Sequence, residues 1–133
     1  MEFVVEAKSH LRKKFITALL PSMIKQLGLE KSKKSVLIMV DEVEALGVTV
    51  PFESFDCYLI VIKPQRMVSI GATLAHEMVH VKQMAQGKLR KVTKTHTMWA
   101  GKRYTKTTKY LDQPWEQQAF AMQELVFRRA LES

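Results

Sequence analysis

The sequence predicts an α+β fold, with helices laid on a small, mainly antiparallel sheet. Three observations predict it. Apolar residues recur every fourth position through residues 3–29, short β-branched and apolar runs crowd residues 35–63, and two further helical patterns occupy 68–86 and 114–131. The 133 residues, 47% apolar and 26% charged, fit one globular domain spanning 1–133.

In the first helix Leu11, Phe15, Leu19, Met23 and Leu27 line one face, with Pro21 expected to kink or split it near Leu20 and Gly28 to stop it. Residues 35–40 read as a buried strand. Residues 47–52 and 56–63 read as two more, and Pro51 assigns the first of these to a sheet edge. Pro64 ends the sheet, and the second helix runs from 68 to 86 before Gly87. Residues 88–110 alternate loosely around Ala100-Gly101, which suggests a hairpin or irregular β-excursion. Pro114 suits the first turn of the last helix, where its missing N–H has no partner to lose.

The longest apolar runs are too short to cross a bilayer, and the acidic start Met1-Glu2-Phe3-Val4-Val5-Glu6 does not suit a signal peptide. The single cysteine, Cys57, excludes an internal disulfide framework and is expected to be a small buried side chain. A cytoplasmic protein with no membrane partner is the expectation.

The net charge of +8 is unevenly spread. Between Met78 and Leu111 there is no Asp or Glu, while nine Lys and Arg fall there, Lys88, Arg90, Lys91, Lys94, Lys102 and Arg103 among them. Such a block suits nucleic acid or another acidic partner, or simply a solvated face.

The chemistry centres on His76-Glu77-Met78-Val79-His80. Histidines four apart on a helix lie about 40° apart around its axis, so both imidazoles reach one ion. Glu77 projects about 100° from His76, placed to address a metal-activated water without binding the metal. This is the H-E-x-x-H arrangement of zinc hydrolases. Leu74, Met78, Val81 and Ala85 form an apolar stripe, opposite a polar face of Thr73, His76, Glu77, His80 and Gln83. A zinc hydrolase needs a third protein ligand, for which His96, Asp112 and Glu116 are the candidates. Glu116 is favoured because it heads the helical stripe of Ala119, Phe120, Gln123, Phe127, Ala130 and Leu131. A carboxylate there would be costly unless a cation offset its desolvation. Tyr104, Tyr110 and His96 are the candidate oxyanion donors, Tyr110 being nearest the ligand helix in sequence. Trp99 and Trp115 read as packing residues, Trp115 against the motif helix.

The block from Thr73 to Gln83, followed by Gln113-Pro114-Trp115-Glu116-Gln117-Gln118-Ala119, resembles the gluzincin metallopeptidases, most of all their small single-domain members in phages and prokaryotes. The resemblance spans about residues 35–130 in element order, and only these two blocks are specific. It implies a zincin-like fold, with an N-terminal helix, a small twisted sheet, the motif helix and a C-terminal ligand helix. It also implies one zinc ion on His76, His80 and Glu116, Glu77 as general base, and hydrolysis of a peptide or protein substrate. The chain departs from the family at Gln117 and Gln118, where an acidic residue is common, and its cleft is expected to be shallow. The competing expectations are a nucleic-acid-binding module, or a protease acting on DNA-associated proteins, either one using the basic segment 82–109.

Overall fold

The chain opens with a strand, not the expected helix. In the computed structural model, which describes residues 1–91, 93 and 95–133, β1 spans Glu2–Glu6 and α1 spans His10–Gln26. The helical period does not extend back through Phe3 to Glu6 because Val4 and Val5 are β-branched and Val5 is buried on the sheet. Ser9 then caps α1, its hydroxyl accepting from the Arg12 N–H at 3.3 Å.

Pro21 neither splits nor ends α1, which is helical on both sides of it. Leu19 and Leu20 before it, and Met23 and Ile24 after it, are buried. Their packing outweighs the roughly 3 kcal/mol that an interior proline costs. Gly28 does stop the helix. With φ at +70° it lets its own N–H reach Lys25 O and the Leu29 N–H reach Ile24 O, a Schellman cap.

Strands β2 (Ser35–Val40), β3 (Gly47–Phe52) and β4 (Cys57–Ile62) complete a four-stranded sheet in the order β1-β2-β4-β3. The expected mainly antiparallel pairing does not hold here. β1 with β2 and β2 with β4 are parallel, and only β3 with β4 is antiparallel. The cause is connectivity. A crossover through α1 returns the chain parallel to β1, and β3 then reverses direction outside β4, leaving β4 parallel to β2. Pro51 does lie on the edge strand, as expected.

One row across the sheet, Val5, Ile38, Ile60 and Thr49, shares register and a buried face. Against this face lie α1 and α2 (Met67–Ala85), while α3 (Pro114–Glu132) packs on both helices. Gly71 lets α3 approach closely, because a Cβ there would collide with the Phe127 ring. Val126 joins Ala119, Phe127 and Ala130 in the core, whereas Phe120 and Leu131 of the expected stripe are exposed. Cys57 is half-buried, contrary to expectation, since it points away from the helical layer that covers its neighbour Tyr58. Gly87, at φ +75°, closes α2 with a second Schellman cap, Gly87 N–H to Met84 O and Lys88 N–H to Gln83 O.

The basic segment forms a separate antiparallel sheet of β5 (Leu89–Lys91), β6 (His96–Trp99) and β7 (Lys102–Thr105). Ala100 and Gly101 make the β6–β7 hairpin turn with φ of +49° and +85°, the backbone of a type I′ turn. The whole is an α+β arrangement with one mixed and one antiparallel sheet. Among the described residues, no helix is long and apolar enough to cross a membrane.

Candidate metal centre

The polar side of α2 is not a solvated face. His76, Glu77 and His80 are only 6–7% exposed, enclosed by β3 on one side and α3 on the other. Three ligand-type atoms meet here, His76 Nε2 at 2.8 Å and His80 Nε2 at 2.9 Å from the same Glu116 Oε1. Glu116, in the first turn of α3, is directed into this cluster and not back toward the helix start. Of the other candidate ligands, Asp112 is exposed beside α3, and His96 is bonded to the Thr93 and Thr95 hydroxyls in the small sheet. Neither belongs to the cluster.

Glutamines hold both imidazoles from behind. His76 Nδ1 lies 2.7 Å from Gln123 Oε1, and His80 Nδ1 lies 2.8 Å from Gln83 Oε1. The orientation of Gln83 follows from its other contacts, since its Nε2 donates to Trp115 O at 3.0 Å and to Gln118 Oε1 at 2.9 Å. A backbone carbonyl only accepts, so Gln83 Oε1 must face His80, and His80 Nδ1 must carry the proton it donates. The Nε2 lone pair of the neutral ring is then aimed at Glu116. An imidazole lone pair cannot face a carboxylate oxygen at 2.9 Å without a proton or a cation between them. This donor set of two nitrogens and a carboxylate oxygen, with the remote nitrogens anchored, fits a zinc ion.

Electrostatics agree with this geometry. Burial by itself raises the Glu116 carboxyl, but hydrogen bonds from His76 and His80 hold it down to about 2. Burial works to lower His80, yet its bond to Glu116 and the charge there leave it above its ordinary value. For Glu77 burial prevails and raises the carboxyl, against the pull of His80 and the Thr49 hydroxyl.

Glu77 is held apart from the three converging atoms. Thr49 Oγ1 donates to its Oε1 at 2.8 Å, and Gly47 lets β3 lie close against this part of α2, since a Cβ there would meet the Thr73 methyl at 2.6 Å and crowd Glu77 Cγ at 3.2 Å and Oε2 at 3.3 Å. Tyr110, in a 3-10 turn (Tyr110–Asp112), donates its hydroxyl to Glu116 Oε1 at 3.2 Å. Burial and the Glu116 charge push the phenol up to about 12, so it stays a donor near neutrality. Tyr104 instead packs edge-on against Trp115, their ring centroids 5.5 Å apart. Trp115 is buried and meets α2 through its backbone carbonyl.

Thr49, Gln123 and Phe120 were not assigned to the site by sequence reasoning. Phe120 stacks edge-on over His76 with ring centroids 4.6 Å apart. Helical spacing carried some signal for Gln123, which stands two turns beyond Glu116 on the same helix. For Thr49 the only signal was its alternation with Gly47 and Pro51 on one side of an edge strand.

The cluster opens into a cleft of about 680 Å3 between β3, α2, the small sheet and the turn at Tyr110. The basic residues do not share one face of that sheet. Cross-strand register sets Arg90 and Arg103 on one side with Met98, and Lys91 on the other with Thr97 and Tyr104. Lys88, Arg90, Lys91, Lys102 and Arg103 are all exposed, and Lys94 lies outside the described residues. No family model, curated protein or solved structure matches this chain. The chemistry of the site therefore carries the functional reading.

Proposed function

We propose that this protein is a zinc-dependent metallopeptidase of the gluzincin type, with a zincin-like fold, hydrolysing bonds in peptides or proteins. The observation that carries this reading is the convergence of His76 Nε2, His80 Nε2 and Glu116 Oε1 beside a carboxylate that takes no part in it, Glu77. A purely structural zinc site has no use for such a residue. His76, His80 and Glu116 would hold the metal. When bound, zinc polarises the scissile carbonyl and makes water acidic enough to lose a proton near neutral pH.

The chain's own groups supply the rest. Glu77, its Oε1 fixed by Thr49, accepts the water proton at Oε2 and returns it to the leaving nitrogen. Its raised pKa suits a base that must also release the proton. Tyr110 remains protonated and is the candidate donor to the developing oxyanion. The free side of β3 offers backbone groups to which an extended substrate can add as another strand, alongside Thr49.

The test is metal content and turnover on protein purified without a histidine tag. Elemental mass spectrometry should find one zinc per chain. Glu77→Gln should keep that zinc while hydrolysis of an unfolded protein substrate falls by at least ~10³-fold. Absence of zinc from the wild type at saturating metal, or undiminished turnover in the variant, would refute the assignment.

A further inference from the structure

The cleft does not end at the histidines. A second hollow of about 420 Å3 lies toward the far end of β3 and shares Met84, Leu89 and Lys91 with it. The two adjoin at these three residues, and the second hollow is bordered by the C-terminal end of β3, the start of β4, Lys34 ahead of β2, and β5.

The hollow is basic. Lys34, Arg90 and Lys91 line it against a single carboxylate, Glu53. Among the described residues, none of these four makes an ion pair. Lys34 is half-buried, its Nζ held 5.5 Å from the centre of the buried Tyr58 ring, which also lines the hollow. A positioned cation that makes no ion pair among the described residues, in a concave site bordered by Arg90 and Lys91 from alternate sides of β5 and by one carboxylate, Glu53, is a receptor for a carboxylate.

Resting on the peptidase reading, we propose that this hollow is a substrate subsite selecting an Asp or Glu side chain on the N-terminal side of the scissile bond. The distance comes from β3. Thr49 stands beside Glu77, and Pro51 to Glu53 border the hollow. An extended peptide rises at the same rate per residue as the strand it joins, so the acidic residue sits about two to four positions from the cleaved bond. Antiparallel addition, the stronger pairing, runs the peptide against β3 and brings its N-terminal half to this end.

The experiment uses the full chain and quenched fluorescent peptides of one neutral sequence, with Glu or Gln placed in turn at four positions on each side of the scissile bond. Glu should exceed Gln by roughly tenfold in kcat/KM at one or more positions two to four residues before that bond. The Lys34→Ala/Arg90→Ala double variant should lose this preference and still cleave the Gln peptides. Equal turnover of Glu and Gln peptides, a preference confined to other positions, or one that survives in the double variant would overturn the subsite. Fluorescence anisotropy of the same peptides with Glu77→Gln protein reads binding without cleavage. If no peptide is cleaved by wild type, the peptidase reading fails by itself. The subsite is then decided by anisotropy, where tighter Glu binding lost in the double variant supports it and equal binding overturns it.

Discussion

Replacing Gln83 with Leu separates a histidine held as a ligand from one that is merely packed. Gln83 is 1% exposed, and its amide joins three groups: His80 Nδ1, Trp115 O and Gln118 Oε1. Leu fills a similar volume, so little cavity forms and the cost is polar. His80 Nδ1–H and Trp115 O lose their partners inside the protein. At roughly 1–3 kcal/mol for each of these two buried groups left unpaired, stability should fall by about 2–6 kcal/mol. In a chain of this size that lowers Tm by about 6–24 °C, read by circular dichroism on metal-free protein. Zinc affinity, measured by competition with a chelating dye, should fall about 10–100-fold, because the ring loses the bond that fixes its tautomer. Gln83→Glu is the control. Its carboxylate still accepts from His80 Nδ1–H but brings no donor to Trp115 O or Gln118 Oε1. Stability should drop much as in Gln83→Leu, while zinc affinity stays nearer the wild type. Zinc affinity within threefold of wild type in Gln83→Leu would refute the anchoring role.

Three other outcomes are expected. Glu116→Ala should lose zinc by orders of magnitude, while Asp112→Ala and His96→Ala retain it; selective loss in either of the latter would assign the third ligand to that residue instead. Gly71→Ala should lower Tm despite roughly 1 kcal/mol of helix propensity gained, because overpacking against Phe127 costs about 1–3 kcal/mol and α3 must move; an unchanged or raised Tm would show that the two helices are not in tight contact there. As far as Glu116 and His80 decide it, metal-free protein should be most stable between about pH 4.5 and 6.5. Glu116, depressed to about 2, contributes stability that is present above 4.5 and lost as pH falls toward 2. His80, raised above 6.5, contributes stability that is present below 6.5 and lost as pH climbs through its raised value, whereas buried Glu77 costs stability progressively as pH climbs from 4.5 through its own raised value, which favours the acidic part of that window. Thermal melts across pH check this, and added zinc should raise Tm more at pH 7.5 than at pH 5.5, since metal displaces protons.

Local chemistry determined what could be read without a structure. The span of α2, its stop at Gly87, the start of α3 at Pro114 and the edge position of β3 all depend on single residues whose backbone limits act within a turn. His76, Glu77 and His80 were legible for the same reason, since helical geometry fixes their relation whatever surrounds them. Even Glu116 could be singled out, because a carboxylate at the head of a core-facing stripe asks for a counter-charge.

Tertiary structure decided the rest. Residues 2–6 are a strand because β2 lies ready to pair with them, and β2 and β4 are parallel because β3 turns back on the outside. Neither follows from local preference. The burial of the polar side of α2 depends on β3 and α3 closing over it. The bonds that complete the site, Thr49 to Glu77 across 28 residues and Gln123 to His76 across 47, join groups with no mutual signal in the chain. The acid-free block looked continuous in sequence, yet cross-strand register divides its side chains between two faces, because strand side chains alternate while charge counting does not.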